Sequence, residues 1–212
     1  MFELVFSLLV LLFSVIIHEI AHGVVALQLG DPTAKLAGRL TLNPVRHLDP
    51  FGSVFLPLLL FIMTQGQGPI IGWARPVPYN PYRLPNPKRA GGLIAVAGPA
   101  TNLAVAVVFG ILLRILGTLP ASVLATNLMV FFDIAVSTNI ILAVFNLVPI
   151  PPLDGSKVLF SLLPLKVSLT TQMLLERYGF FMILIFVFFG FRFILPIAQI
   201  LYSLITGNGS IW

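Results

Sequence analysis

The stretch FELVFSLLVLLFSVIIHEIAHGVVALQL, residues 2–29, decides how this chain folds. It runs 28 residues with only Glu3, Gln28 and the group His18-Glu19-Ile20-Ala21-His22 carrying strongly polar side chains. Each helical residue advances about 1.5 Å, so about 20 apolar residues cross a hydrocarbon core of about 30 Å. This run is long enough to cross. It is not read as a secretory signal, because it lacks a positive n-region, exceeds a signal's length and carries His18, Glu19 and His22. A discarded segment has no use for those three side chains, so a mature membrane span is expected.

The rest of the composition agrees. The chain has 212 residues, 58% hydrophobic and 9% charged, with a mean hydropathy of +1.04. Soluble domains carry about 25% charged residues, so a water-soluble globule is excluded, and so is a disordered chain. The net charge of +5, from 12 Lys+Arg against 7 Asp+Glu, speaks about membrane topology and not about nucleic acid. The expected surroundings are a lipid bilayer, with no nucleic-acid partner. Cysteine is absent, which excludes disulfides, Cys-ligated metal and thiol catalysis.

Four stretches qualify as spans: about 2–29, 90–117, 127–148 and 178–195. They stop at Gly30-Asp31-Pro32, before Pro120, at Pro149, Pro151 and Pro152, and at Pro196. Residues 197–206 either continue the last span with a kink or lie at the interface. Between the first two spans, Thr33–Leu42 (TAKLAGRLTL) alternates imperfectly and predicts a strand or hairpin. Phe51–Met63 is apolar, too short to cross and interrupted by Pro57, as in a re-entrant or interfacial piece. Gly66, Gly68, Pro69, Pro76, Pro78, Pro81, Pro85 and Pro87 then predict an ordered loop without helix. The expectation is one domain over 1–212: an all-α polytopic membrane protein with about four transmembrane helices and a short strand or re-entrant segment at 33–63. No internal repeat is visible.

Positive charge sets the orientation. Lys35, Arg39, Arg46, Arg75, Arg83, Lys88 and Arg89 fall in the first connection, and Lys157, Lys166 and Arg177 in the turn at 151–177. The turn at 118–126 has none. Positive-inside therefore puts the first two in the cytoplasm and both termini outside.

His18-Glu19-Ile20-Ala21-His22 is an H-E-x-x-H pattern, and residues four apart share a helix face, so both imidazoles reach one metal. Glu19, beside the first ligand, is placed as a general base. The bland alternative is a chance match. It weakens here because two of the chain's three histidines fall in the pattern, and burying them unused in hydrocarbon is costly. A catalytic zinc takes a third protein ligand. Glu3, Asp31, Asp49 and Glu176 flank spans or lie in loops, which leaves Asp133 and Asp154. Asp154 follows the third span on the cytoplasmic side, the side toward which His18 and His22 lie, whereas Asp133 is near the outer end. Asp154 is the expected third ligand, and a helix N-cap is its structural alternative. His47, the remaining histidine, is expected to be a hydrogen-bonded loop residue. Asp133 and Arg192 fall at similar depth and are expected to approach each other, or else Arg192 reaches the outer interface alone.

Together these residues resemble a known family. H-E-x-x-H in the first span, with Asn146-Leu147-Val148-Pro149-Ile150-Pro151-Pro152-Leu153-Asp154-Gly155 far downstream, resembles the site-2 proteases, intramembrane zinc metalloproteases. Gly98-Pro99-Ala100-Thr101-Asn102 resembles the family's G-P-x-x-N element. Leu42-Asn43-Pro44, His47-Leu48-Asp49-Pro50 and Gly72-Trp73-Ala74-Arg75-Pro76-Val77-Pro78 are similar to the small bacterial and archaeal branch. No stretch here could form the PDZ domain or the cystathionine-β-synthase pair that some members carry.

The resemblance implies one Zn2+ per chain on His18, His22 and Asp154, with Glu19 as catalytic base. It implies that Asn102 and Asn146 sit near the site and grip substrate backbone or the oxyanion; interhelical hydrogen bonding is the alternative for each. The implied activity is hydrolysis of a peptide bond in or near a transmembrane segment of a membrane-protein substrate, as in regulated intramembrane proteolysis. The site would face the cytoplasmic side of a bacterial or archaeal cell membrane. Extended substrate could pair with the strand-like pieces in 33–63 by strand addition. The competing class is a non-catalytic metal-binding membrane protein, a transporter or pseudoprotease. A transporter is expected to show polar groups along a route through the bilayer, and often repeats; a pseudoprotease is expected to have lost Glu19 or a ligand.

Overall fold

Asp31 follows Gly30, and that pair ends the first helix. In the computed structural model, which describes residues 2–63, 65, 74–120 and 122–207, α1 spans Phe2–Gln28. Gly30 takes a φ of +105°. The Asp31 N–H donates to the Ala26 carbonyl at 2.9 Å and the Gly30 N–H to Leu27 at 3.1 Å, the paired bonds of a Schellman stop. A second such stop follows at once. The single turn α2 (Thr33–Leu36) ends at Gly38, φ +64°, where Arg39 N–H donates to Ala34 and Gly38 N–H to Lys35, both at 3.0 Å.

This corrects the expected strand at 33–42. The Asp31 carboxylate accepts from the Thr33 N–H at 3.1 Å and from its hydroxyl at 2.5 Å, which starts a helical turn where the side-chain pattern alternated. No strand occurs among the described residues. A 3-10 turn at Pro44–Arg46 and a π turn at Pro50–Phe55 lead to α3 (Leu56–Met63). At 8 residues, α3 spans about 12 Å and cannot cross a bilayer. Of the helix-free loop, the part from Ala74 is described and is irregular apart from a 3-10 turn at Pro81–Arg83. Gly66, Gly68, Pro69, Gly72 and Trp73 lie outside the described residues.

The next two long helices start on side-chain caps. The Asn86 side chain accepts from Arg89 N–H with Pro87 at the first helical position, opening α4 (Pro87–Gly117). Ser122 accepts from Ala125 N–H to open α5 (Val123–Asn146). Helices α1, α4 and α5 are long and apolar enough to cross a membrane. Their exposed residues include many large hydrophobics, among them Leu8, Phe13, Val108, Ile111 and Val130, the inverted pattern expected when the solvent is lipid.

Next come α6 (Asp154–Leu162), α7 (Leu165–Ile185), a π turn at Phe186–Gly190 and α8 (Phe191–Thr206). The fourth span, expected at 178–195, is not one straight helix. The chain bends by 65° between Leu165–Gly179 and Phe181–Gly190, a fourth crossing only if that pair counts as one span. Gly179 lies against Pro151, whose carbonyl oxygen a Cβ would approach to 2.7 Å. Pro196 does not end a helix, since α8 continues through it to Gly207, φ +76°.

Helix α4 is the centre of the bundle and packs on α1, α5, α6 and α8. Ala106 of α4 meets Val136 and Ile140 of α5 and Ala198 and Tyr202 of α8 in a buried cluster. Asp133 is held there by the Tyr202 hydroxyl, which donates to its Oδ1. The expected Asp133–Arg192 pair is therefore corrected: Arg192 is exposed, its guanidinium 5.0 Å from the Phe193 ring.

Candidate metal centre

One turn of α1 separates His18 from His22, and their rings stand edge to face with centroids 4.7 Å apart and planes at 89°. Each ring is fixed through Nδ1. That of His18 lies 2.5 Å from the carboxamide oxygen of Asn102, and that of His22 lies 2.6 Å from the Ile94 carbonyl oxygen. Both partners are acceptors, so each Nδ1 donates, and in the neutral ring Nε2 is then the nitrogen that a metal would take.

Asp154 meets both Nε2 atoms. Its Oδ2 lies 3.0 Å from His18 Nε2 and 3.1 Å from His22 Nε2. The donor atoms of His18, His22 and Asp154 all fall within 4.8 Å of one another. A tetrahedral zinc with bonds of about 2.0 Å has edges of roughly 3.3 Å, and catalytic sites take three protein ligands of this kind. Two neutral imidazoles, oriented by hydrogen bonds on the far nitrogen, and one carboxylate fit that ion. His18 and Asp154 are buried and the His22 side chain is 12% exposed.

Helix α4 makes the room. A Cβ at Gly98 would lie 2.5 Å from His18 Cε1 and Nε2, so any larger residue would displace the ring. Pro99, inside the helix, has no N–H for the Ala95 carbonyl and loosens the preceding turn, where the Ile94 carbonyl turns to His22. Asn102 is one turn further on. The G-P-x-x-N element thus supplies space for one ligand and a hydrogen bond to hold it.

The turn at 147–153 delivers the third ligand. Leu153 is the residue before α6 and Asp154 its first, so Asp154 does not cap the helix; its carboxylate goes to the histidines and gains from the positive helix end. Gly155 packs against the carbonyl oxygens of Leu147 and Val148, leaving no space for a Cβ. The D-G pair closes the turn and aims the carboxylate together.

Glu19 leaves α1 on a neighbouring face. Its Oε2 accepts from the Val77 N–H at 2.8 Å, and it is close enough to His22 to interact through charge. Asn102 is engaged on both sides: its Nδ2 donates to Asn139 Oδ1 at 2.8 Å, and Asn139 Nδ2 donates to Ser14 Oγ at 2.9 Å and to the Ala135 carbonyl at 2.8 Å. Asn102 is thus committed to a ligand and to its neighbours, not open to substrate as expected. Asn146 donates from Nδ2 to the Leu142 carbonyl at 2.9 Å. His47 is buried outside the group, with Nε2 2.8 Å from the Thr41 carbonyl.

Sequence reasoning passed over Ser14 and Asn139. A signal existed for each: Ser14 lies one turn before His18 on the same face, and Asn139 is a carboxamide in the middle of an apolar helix.

Comparison with known proteins gives the same direction. The family model of "Peptidase family M50" matches residues 112–186, which include Asn146–Gly155. The chain is 39% identical over 185 residues to "Putative zinc metalloprotease YwhC" of Bacillus subtilis, covering 85% of this chain and 78% of that one. It is 36% identical over 165 residues to "Putative zinc metalloprotease MJ0611" of Methanocaldococcus jannaschii, covering 73% and 72%. Against "Putative zinc metalloprotease Rip2" of Mycobacterium tuberculosis the identity is 35% over 144 residues, 68% of this chain and 52% of that protein. No solved structure matches. With the histidine pair, the aspartate and these relatives in agreement, the chain belongs to peptidase family M50, the site-2 proteases.

Proposed function

We propose that this chain is an intramembrane zinc metalloendopeptidase that cuts membrane-spanning protein substrates within or near the bilayer. The observation that carries the reading is the convergence of His18 Nε2, His22 Nε2 and Asp154 Oδ2 on one point, with both rings already oriented from behind. Those three side chains would hold one zinc per chain. Bound zinc supplies an acidified water and polarises the scissile carbonyl. Glu19 takes the proton from the attacking water and returns it to the leaving amine. The Val77 N–H, on Glu19 Oε2, fixes the orientation of that carboxylate. Asn146, half-buried at the end of α5, has no partner for its carboxamide oxygen among the described residues and is the residue suited to grip an unwound substrate backbone. A helical substrate must unwind at the scissile bond, because helical hydrogen bonds cover the carbonyl.

The whole chain acts as one domain in this reading, within a bacterial or archaeal cell membrane. The site lies toward the cytoplasm, because Lys and Arg concentrate in the connection at 31–89. The test is cleavage of a synthetic membrane-spanning peptide by the purified chain in nanodiscs. The expected result is cleavage that a chelator abolishes and added zinc restores. Cleavage indifferent to the chelator, or none by a zinc-loaded protein on any spanning peptide, overturns the proposal.

A further inference from the structure

Three arginines of the first connection face one cleft of about 630 Å³, formed by Arg39, Arg46 and Arg75 with Asn43, Val45 and Pro76 among its other walls. Arg39 is the anchor. It is 7% exposed, and its Nη atoms donate to the carbonyls of Arg46, Arg75 and Pro76. Its Nε is buried without a hydrogen-bond partner, a costly condition for a guanidinium donor. Arg46 and Arg75 are exposed on the rim.

None of the three is in an ion pair among the described residues, where the ion pairs are those of Asp154 with His18 and His22. Asp49, the acid nearest in sequence, turns its Oδ1 to the N–H groups of Phe51 and Gly52. Burial, and after it the charge of Arg75, push the Arg39 guanidinium below its usual value, with only Glu19 acting the other way. The cleft therefore holds positive charge that no carboxylate among the described residues pairs with.

Its rim is apolar as well as basic. Val45 and Leu48 line the cleft, and Val45 is 73% exposed; nearby Leu36 and Leu42 are exposed too. Exposed aliphatic side chains beside guanidinium groups suit an amphiphile with an anionic head. Arginine forks match phosphate oxygens in pairs, and basic residues beside membrane spans draw anionic lipid. We propose that the Arg39–Arg46–Arg75 cleft binds the phosphate headgroup of an anionic phospholipid, with its acyl chains along Val45 and the neighbouring leucines. The site backs on the candidate base: the carbonyls that Arg39 holds belong to Arg75 and Pro76, and the next N–H, that of Val77, is on Glu19.

The test reads lipid and not cleavage, so it stands apart from the protease proposal. The purified full chain, in nanodiscs of phosphatidylcholine and phosphatidylglycerol, is examined by native mass spectrometry for lipid retained per chain. Wild type is expected to retain phosphatidylglycerol over phosphatidylcholine. Arg46→Ala and Arg75→Ala are each expected to weaken that retention roughly fivefold, and together on the order of ten- to thirtyfold. Both side chains are exposed, and unfolding midpoints check that the variants fold. Should the double variant fail to fold, each single variant and the wild-type preference still decide. No preference in wild type, or equal retention in folded variants, overturns the proposal. Inorganic phosphate that binds as tightly as the lipid, or an acidic peptide captured with no preference between lipids, assigns the cleft elsewhere and also overturns it.

Discussion

His18 Nδ1 lies 2.5 Å from the carboxamide oxygen of Asn102, and through that hydrogen bond α4 sets which nitrogen α1 offers to a metal. The carboxamide is held in turn by Asn139 and Ser14, so three helices fix one imidazole. Partners behind a ligand typically contribute 10- to 100-fold in metal affinity. Asn102→Leu, which keeps the volume and removes the acceptor, is expected to weaken zinc binding about 10- to 100-fold. Competition with a graded chelator measures it, and unchanged affinity contradicts the assignment.

Glu19 touches the Val77 N–H and none of the three donor atoms, so its substitution separates base from ligand. Glu19→Gln is expected to keep the wild-type zinc content and to lose about 10²- to 10⁴-fold in peptide cleavage. Zinc content and turnover on the same sample check it.

Asp31 clasps the end of α1 to the loop before α4. It is fully buried, accepting from Thr33 and, at 2.5 Å, from the Asn80 N–H. Burial raises its pKa, but the bonds from Thr33 and Asn80 and the charge of Arg83 outweigh burial and hold it below the ordinary carboxylate value. A folded pKa below the unfolded one gives stability that is complete above about pH 4–5 and lost as the pH falls through the folded value. Asp31→Asn is expected to cost about 1–3 kcal/mol at neutral pH, because buried N–H donors lose a charged acceptor. That difference in unfolding midpoint should shrink steadily in acid. A difference independent of pH contradicts it.

The membrane orientation is tested on a background free of cysteine. Thr118→Cys and Tyr79→Cys should label from opposite faces, Tyr79→Cys from the cytoplasmic one. Labelling of Tyr79→Cys from outside reverses the assignment.

What the sequence made legible was local. The caps at Asn86 and Ser122 and the stop at Gly30-Asp31 act within a few residues, so the long helices fall close to their expected limits. The histidine pair needs only helical spacing, and Asp154 follows because few acids share its depth. The misreadings have a common cause in backbone geometry. TAKLAGRLTL alternates, yet Asp31 starts a turn at Thr33 and Gly38 ends it in a left-handed conformation. Counting residues along a straight fourth span brought Arg192 to Asp133, but the 65° bend and the packing of α8 bring Tyr202 there instead. Asn139 was visible as a polar residue in an apolar helix. Its partner was not, because Asn102 lies 37 residues away and only the packing of α4 on α5 joins them.

The central claim is that His18, His22 and Asp154 form one metal centre, and zinc per chain in Asp154→Asn tests it most directly. Asp154 is the ligand with an expected structural alternative, an N-cap, and at the first position of α6 it does not fill that role. The expected result is about one zinc per chain in wild type and in Glu19→Gln, and a large loss in Asp154→Asn while its unfolding midpoint shows that it remains folded. A folded Asp154→Asn protein that binds zinc with undiminished affinity would contradict the account.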